Sequence, residues 1–470
     1  MRWGLDVILL AGAVVVFWLT SRGGYKLVLA VEGVPTISVN YWAFLGPALA
    51  WMGGGLLAYR LATTALLVGR RPLRAALRPF AGALSGTIAA SMSRQRSLLG
   101  RGLTLVALSV VFAGSTSVFN STYQVQSEVD AVLSNGAMVS VVESPGREVP
   151  PSLAKQFSRI PGVRSVTSVQ HRYAYVGADL QDLYGVDPLT IVRATKLRDA
   201  YFQVGTAREL MAQLAAKPNA ALVSLETVKD FQLLPGDTLK LRLQDGKTKQ
   251  FRPVTFTYAG VVNEFPSAPS DSFIVANAAY VAQATGSDAV GSFLIDTSHD
   301  DSTAVSSRVE RVVGTTATVN DVASKRRKIG ASLTSVELSG LTRVELGFAL
   351  VLAAAASGLV LWLGLAERKR TFAIAAALGA TSRQLSGFVW SESVFVAAGG
   401  MIIGAVGGWA LTEMIVKILT GVFDPPPSGL SIPWGYLGLV LGIVVVAVLS
   451  ATTVITRTTR RPTTEMLRDL

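Results

Sequence analysis

Hydrophobic residues form six long runs along the chain, separated by polar segments. A membrane-spanning helix needs about 20 mainly apolar residues. The runs occupy residues 5–20, 41–68, 102–119, 347–365, 388–419 and 434–453. The first run is short, but no small-residue cleavage motif follows it, and Trp18 and Tyr25 suit an interfacial anchor better than a signal peptide. The pattern predicts an α-helical membrane protein with six transmembrane helices.

The fifth run is longer than a bilayer requires and contains the glycine-rich sequence AAGGMIIGAVGGW. Small residues let neighbouring helices approach closely in lipid. An overlong span also accommodates its length by tilting or kinking. We therefore expect the fifth span to be tilted, kinked or tightly packed.

The polar region between the third and fourth runs, residues 123–341, follows a different pattern. Partial alternation of apolar and polar residues predicts strands at residues 137–144, 163–178, 237–244 and 254–263. Helical patterns interrupt them at residues 152–162, 207–218 and 302–314. Residues 325–343 are expected to form a helix that leads back to the membrane. The mixture predicts an α+β domain.

The distribution of charge orients these elements. Only 16% of the residues are charged, against roughly a quarter in soluble domains. Residues 120–341 hold equal numbers of acidic and basic residues, so the net charge of +12 lies beside the apolar runs. Basic residues gather in residues 69–101, in the loop after the fourth run and in the tail, and the positive-inside rule places all three in the cytoplasm. Both termini are then cytoplasmic and the α+β domain is extracytoplasmic, a charge pattern that does not suit a nucleic-acid binder.

The sequence offers little catalytic chemistry. It has no cysteine, which excludes disulfides, thiolate metal sites and cysteine nucleophiles. It has no G-x-x-x-x-G-K-[ST] phosphate loop, so ATP would be hydrolysed by another chain. The two histidines, His171 and His299, lack partners at metal-ligand spacing, and His171 is interpreted as a strand surface residue. We expect neither a metal site nor enzymatic activity.

Ionisable residues inside a span can mark an ion pathway. Five lie in or next to the apolar runs: Arg60, Glu345, Glu392, Glu413 and Lys417. Most are within a turn or two of an expected membrane interface, where long side chains extend toward the headgroups. This position disfavours a proton-coupled transporter.

The segment between the fourth and fifth runs reads ERKRTFAIAAALGATSRQL. It resembles the FtsX-like permease domain of MacB, LolC/LolE and FtsX proteins, in which a basic run and a short apolar helix precede Leu-Gly-Ala-Thr/Ser and an Arg-Gln pair. The matching residues are Arg368, Lys369, Arg370, Leu378, Gly379, Ala380, Thr381, Arg383, Gln384 and Glu392. Thr371 and Ala376 depart from the pattern, at positions where an acidic and a basic residue are common. The outer sequence ALVSLETVKDFQLLPGDTLKLRL resembles the MacB-type extracytoplasmic domain, and the resemblance covers residues 82–470.

The resemblance implies a permease subunit of an ABC transporter. A separate ATPase dimer would bind ATP and Mg, and this chain would carry no cofactor. ATP hydrolysis would move the outer domain, in export or extraction of a lipoprotein, lipid, peptide or drug, or in mechanotransmission. A membrane sensor or regulator that activates a cell-wall hydrolase through the outer domain is the alternative, and a membrane-bound enzyme is disfavoured. Expected partners are the ATPase, membrane lipid, and an extracytoplasmic lipoprotein or hydrolase.

Two spans precede the four-span unit that is usual in this family. Residues 1–80 resemble the connecting pair of ten-span members, so the chain resembles the C-terminal part of a duplicated, actinobacterial-looking permease. The expected division is two N-terminal helices (1–80), an interfacial segment with the third span (81–122), the MacB-like domain (123–341) and the permease domain (342–470). An ATPase dimer offers two docking clefts, so we expect a second permease copy, or a partner supplying the missing half, to pair with this one. The glycine-rich fifth span is expected to contribute to that pairing.

By the same resemblance, residues 371–380 form a coupling helix at the inner membrane surface. On a helix, Phe372, Ala375, Ala376 and Gly379 share one face, where small residues would permit close docking. The expected ATPase contacts are Arg370, Phe372, Ala375, Ala376, Leu378, Gly379, Ala380, Thr381, Arg383, Gln384 and Glu392. An interfacial helix that packs only against lipid and neighbouring spans is the alternative.

Overall fold

A computed structural model describes residues 4–23, 28–29, 35–36, 41–81, 85–144, 147–268, 272–298, 302–330, 381–418 and 429–458, with single positions between 344 and 355 and at 427. Its helices are α1 (Leu5–Gly23), α2 (Leu45–Val68), α3 (Arg70–Ala81), α4 (Ser85–Arg94), α5 (Arg96–Asn135), α6 (Ala154–Phe157), α7 (Pro188–Ala194), α8 (Ala207–Ala216), α9 (Leu225–Phe231), α10 (Ala278–Thr285), α11 (Ser302–Val313), α12 (Val322–Gly330), α13 (Ser382–Ile418) and α14 (Trp434–Thr458). Its strands are β1 (Val28–Leu29), β2 (Pro35–Thr36), β3 (Val139–Glu143), β4 (Val163–Val176), β5 (Asp179–Val186), β6 (Ala220–Ser224), β7 (Thr238–Gln244), β8 (Phe251–Val262), β9 (Phe273–Asn277), β10 (Ser292–Thr297) and β11 (Ala317–Asp321).

The chain divides into two compact units. The helical unit comprises Met1–Gln124, Leu338–Val422 and Gly429–Leu470. The sheet unit comprises Val125–Glu337 and Phe423–Ser428. The helical unit contains the apolar runs, and the sheet unit contains the charge-balanced region.

The long helices of the helical unit alternate in direction. α1 is antiparallel to α2, because Leu10 neighbours Gly53 and Val16 neighbours Gly46. α5 is antiparallel to α2 as well, because Leu108 neighbours Gly55 and Gly100 neighbours Tyr59. α14 is antiparallel to α13, because Thr452 near its end is bonded to Ser393 near the start of α13. The starts of α1, α5 and α13 and the ends of α2 and α14 therefore meet at one end of the unit. This end, which also holds the arginine-rich residues 69–101, is called the basic end below.

α13 runs parallel to α5 and packs against it through glycines. The neighbouring pairs are Gly399–Leu103, Gly400–Val106, Gly404–Val110, Gly407–Val111 and Gly408–Val111. A Cβ at Gly404 would lie 2.6 Å from the Val110 Cβ, so only glycine permits this approach. The tight packing expected of the fifth span is present, but it is directed at α5 of the same chain. These glycines therefore pack within the helical unit, and the part of the fifth span in pairing with a second permease copy stays a prediction.

Two described helices, α5 and α13, are long and apolar enough to cross a membrane. Shorter apolar helices lie at Leu5–Thr20 and Trp434–Ala447, within α1 and α14. α2 coincides with the second predicted span. The fourth predicted span, residues 347–365, lies largely outside the described residues, so the arrangement of six spans stays a prediction.

The nine strands of the sheet unit form one mixed sheet in the order β11-β3-β10-β4-β5-β9-β6-β8-β7. The long strand β4 also pairs with β7, at residues 174–176. This second pairing closes the six strands from β4 to β7 into a ring. Within it, β5 pairs with β9 and β6 with β8 in parallel, and the other described pairs are antiparallel.

Closure of the ring separates two hydrophobic cores. One core takes buried residues from all six strands, among them Leu183, Leu241, Phe256 and Ile274, and so lies inside the ring. The second core includes Tyr184, Leu222 and Phe273. Each of these residues is next in its strand to a residue of the inner core, and its side chain points outward because side chains alternate along a strand. Helices α7 and α8 contribute to this outer core. A third cluster, around Phe157, Phe293 and Val305, packs β3 and β10 against α6 and α11.

The sequence pattern predicted part of this unit. The four predicted strands are confirmed as β3, β4, β7 and β8, and two predicted helices as α8 and α11. Residues 152–162 hold only a short 3₁₀ turn and the four-residue helix α6. Strands β5, β6, β9, β10 and β11 were not predicted. The α+β class of the domain is confirmed.

Candidate functional site

The predicted coupling segment leads directly into α13 at the basic end. Of the expected ATPase contacts, Arg370, Phe372, Ala375, Ala376, Leu378, Gly379 and Ala380 lie outside the described residues. Thr381 is exposed immediately before α13, and Arg383 and Gln384 belong to its first turn. The contact set therefore stays a prediction, with its described part at the start of α13.

Glu392 is buried, at 6% exposure, one residue before the fully buried Ser393. The Thr452 hydroxyl donates to Ser393 Oγ at 2.9 Å, and Ser393 Oγ donates to the Val389 carbonyl at 2.8 Å. A buried carboxylate is not placed to contact an ATPase surface directly. The Ser393–Thr452 bond joins α13 to α14 inside the helical unit, directly after Glu392 in the sequence.

An ion pair between a half-exposed Arg60 and a buried Asp6 links α1 to α2 at the basic end. Arg60 Nη1 lies 3.2 Å from both carboxylate oxygens of Asp6, whose side chain is buried in the first turn of α1. Arg60 was expected to extend toward the headgroups, and half of its side chain is exposed, but the guanidinium is paired within the chain. Asp6 gives no local signal of this role in the sequence, because its partner is 54 residues away.

A hydrophobic cluster fills the basic end around the start of α13. It takes Leu66 from α2, Ile88 and Met92 from α4, Leu99 and Val106 from α5, Val396 from α13 and Val444 from α14. Leu73 of α3 and Phe388 of α13 pack against it. A displacement of the coupling segment would thus act on a close-packed block rather than on one free helix.

In the sheet unit, His171 lies on β4 with its side chain 38% exposed, as expected of a strand surface residue. Its Nε2 atom is 2.5 Å from Asp182 Oδ1, and its ring stacks on Tyr184 with centroids 5.1 Å apart. Burial, the largest cause, raises the Tyr184 pKa, and nearby Asp182 adds to the shift. The phenol therefore stays neutral and supplies no base. Among the described residues no group of three or more metal-ligating side chains occurs, and His299 lies outside them.

A small cavity of the sheet unit has mixed lining: Val125, Glu128, Val129, Val132, Lys196, Arg198 and Tyr201. Its volume is about 170 Å³, whereas small-molecule sites usually enclose about 300–1,000 Å³. Burial raises the pKa of Tyr201. The cavity is too small for a drug-sized substrate, so we assign it no ligand.

Three comparisons place the chain among known proteins. Residues 343–463 match the family model described as FtsX-like permease C-terminal. A solved extracellular domain of a "noncanonic ABC-type transporter YknZ from Gram-positive bacteria" is similar at 13% identity and a TM-score of 0.27, over 39% of this chain and 99% of that chain. No curated protein sequence matches the chain. The family match contains the predicted coupling segment, α13 and α14.

Proposed function

We propose that this chain is the membrane permease subunit of an ABC-type transporter, and that its C-terminal part is an FtsX-like permease domain. The match over residues 343–463 carries the proposal. A separate ATPase dimer binds ATP and Mg, because the chain has no phosphate loop of its own. The permease is a non-catalytic component that converts the ATPase cycle into motion of its outer domain.

The geometry of the helical unit supports a topology of six spans with both termini in the cytoplasm. The five long helices alternate so that their arginine-rich flanks meet at the basic end, as the positive-inside rule requires. A fourth span between the sheet unit and the coupling segment completes the alternation. The sheet unit is then extracytoplasmic.

Coupling takes place at the basic end. Residues 371–380 dock into the ATPase with Phe372, Ala375, Ala376 and Gly379 facing the cleft. The described cluster around the start of α13 supports transmission, because its close packing ties α13 to α2, α4, α5 and α14. Glu392 acts from inside this block rather than at the contact.

The substrate is large or amphiphilic: a lipoprotein, lipid, peptide or drug that is exported or extracted, or a partner that receives a purely mechanical signal. The small size of the described cavity of the sheet unit disfavours a small soluble substrate held there. The sheet unit then acts as a moving element.

Affinity purification of the tagged full chain tests the proposal. It should retain an ABC ATPase and stimulate its hydrolysis of ATP. Ala375→Trp should abolish both effects, because a bulky ring would block the docking face. Ala405→Trp on the exposed side of α13 is the matched control and should leave both unchanged. A chain that binds no ATPase, or equal effects of the two substitutions, would refute the coupling role.

Native mass spectrometry of the same complex gives its composition. We expect two permease units per ATPase dimer, as two copies of this chain or one copy with the missing half. One permease unit per ATPase dimer would contradict the pairing.

A further inference from the structure

Helix α3 begins where the apolar helix α2 ends. The Gly69 N–H donates to the Ala65 carbonyl at 2.8 Å, and the Leu73 N–H donates to the Gly69 carbonyl at 2.9 Å. Only Gly69 separates the two helices. A helix that directly follows a membrane span starts at the level of the lipid headgroups.

Four arginines share one side of α3. Arg70, Arg74 and Arg78 are spaced four residues apart, and with Arg71 they fall within an arc of about 100° on a helix of 3.6 residues per turn. All four are exposed. The row they form is about 12 Å long at 1.5 Å of rise per residue.

Helix α3 is fixed against the helical unit. Leu73 packs against the hydrophobic cluster of the basic end. Arg70 Nε donates to Ser93 Oγ of α4 at 3.0 Å, and Arg74 lies beside Gly86. Leu73 and two arginines of the row therefore anchor α3, while all four arginines remain exposed.

The neighbouring sequence and the described ion pairs offer the row no counter-charge. No acidic residue occurs between Glu32 and Glu128. In the part of the chain that the structure describes, none of the ion pairs involves an arginine of α3. The charge must be balanced from outside the described residues.

We propose that the arginine row of α3 binds the headgroups of anionic phospholipids in the cytoplasmic leaflet. Guanidinium groups bind phosphate oxygens in a bidentate manner, and a basic amphipathic helix lies in the interface plane. Four positive charges spread over about 12 Å exceed the charge of one phosphate, which favours a layer of headgroups over a free phosphate ion. The inference depends on the membrane embedding of the proposed permease and is independent of its coupling to an ATPase.

The test compares lipid retained by the full chain after extraction from nanodiscs of phosphatidylglycerol and phosphatidylcholine. Native mass spectrometry counts the bound phosphatidylglycerol. The variant Arg71→Gln/Arg74→Gln/Arg78→Gln spares Arg70 and its bond to Ser93. A matched control, Arg159→Gln/Arg193→Gln/Arg208→Gln, removes the same charge from exposed positions of the sheet unit. A third variant replaces the three α3 arginines by lysine.

The α3 glutamine variant should retain about a hundredfold less phosphatidylglycerol than the natural chain, because it loses three basic residues that each contribute to the attraction to an anionic surface. The lysine variant should keep most of it, and the control should keep all of it. Undiminished retention by the α3 glutamine variant, or equal loss in the control, would overturn the proposal. Displacement of the lipid by millimolar inorganic phosphate would also overturn the proposal, because it would indicate a free-phosphate site. A variant that loses only its association with the ATPase would overturn it too, because that result would indicate an acidic protein partner.

A second measurement keeps all four arginines and so does not depend on folding of the variants. A single cysteine at the exposed Ala75, in a chain that has no other cysteine, carries an environment-sensitive fluorophore. Its emission should shift to the blue as the phosphatidylglycerol fraction of the nanodisc rises, and salt should reverse the shift. Emission that ignores lipid charge would contradict the proposal.

Discussion

The contact between α13 and α5 gives the sharpest test of the fold. We consider Gly404→Ala, which adds one methyl group to the glycine face of α13. That methyl carbon would lie 2.6 Å from Val110 Cβ, 2.8 Å from Val110 Cγ1 and 3.0 Å from the Ala107 carbonyl oxygen. Rotation of Val110 cannot relieve the contact, because the Val110 Cβ and the Ala107 oxygen are fixed by the backbone.

The size of the effect follows from these distances. Carbon atoms in favourable contact are about 3.5–4.0 Å apart, so α13 and α5 would have to separate by about 1 Å. Overpacking of this kind usually destabilises a core by about 1–3 kcal/mol. The better helix propensity of alanine offsets up to about 1 kcal/mol of this loss. Gly387→Ala, on the same helix with nothing within 4 Å of the added methyl, isolates that propensity term.

Tryptophan fluorescence is the natural assay. All eight tryptophans lie outside residues 125–337, so their fluorescence during denaturant titration in micelles reports the helical unit alone. Because the propensity gain is common to both variants, Gly404→Ala should have a free energy of unfolding about 1–3 kcal/mol lower than that of Gly387→Ala, which is the overpacking cost alone. Equal stability of the two variants would show that α13 and α5 do not pack as described.

Two further predictions concern other elements. The double variant Ser393→Cys/Thr452→Cys should form an intramolecular disulfide on mild oxidation, since the two hydroxyl oxygens are 2.9 Å apart and the chain has no other cysteine. The control pairs Ser393→Cys with a cysteine at the exposed Thr453 and should form no disulfide. Cross-linking of both pairs in non-reducing electrophoresis would contradict the α13–α14 register. In the turn between β7 and β8, the Thr248 backbone N–H donates a hydrogen bond to the Asp245 carboxylate, and this bond is the largest cause of the lowered Asp245 pKa. The ionised carboxylate therefore stabilises the hairpin at pH values above its ordinary pKa. This stabilisation is lost as pH falls through the lowered folded-state pKa. Asp245→Ala should speed amide exchange of residues 238–262 near pH 7, and the difference from the natural chain should vanish in acid. Replacement of the exposed Asp230 by alanine should leave this exchange unchanged. A difference that persists in acid would rule out the charge of Asp245 as the cause.

The predictable part of the fold is the part whose side chains keep a simple period. β7 alternates strictly between exposed and buried residues, and its strand was predicted. β6 and β9 are buried at every position, because one face packs inside the ring and the other against the outer core. A short, continuously apolar strand carries no period of two, so these strands escaped sequence analysis.

The candidate site likewise has one part that the local sequence predicts and another part that depends on contacts between distant residues. The arginine-rich flanks and the coupling motif are local in sequence, and both were available without a structure. The pairs Asp6–Arg60 and Ser393–Thr452 join residues 54 and 59 positions apart, and single serines or aspartates in apolar helices give no local indication of a partner. The packing of the α13 glycines against α5 is likewise a tertiary contact that the local sequence does not show.

The distribution of polar contacts in the helical unit bears on how a permease could move. Most described hydroxyls in its long helices donate to carbonyls of their own helix, including those of Thr63, Thr104, Ser109 and Thr412. The described side-chain bonds between different helices are instead concentrated at the basic end, at Asp6–Arg60, Tyr59–Ser97, Arg70–Ser93 and Ser393–Thr452. At the opposite end, the described links are those of Ser431 with Ser121 and Thr122. Each such bond in a membrane contributes only about 0.6–2 kcal/mol, so several are needed to hold helices in a fixed register. The described bonds between helices are therefore more numerous at the basic end, and we expect its helices to resist sliding past one another more than those of the opposite end do.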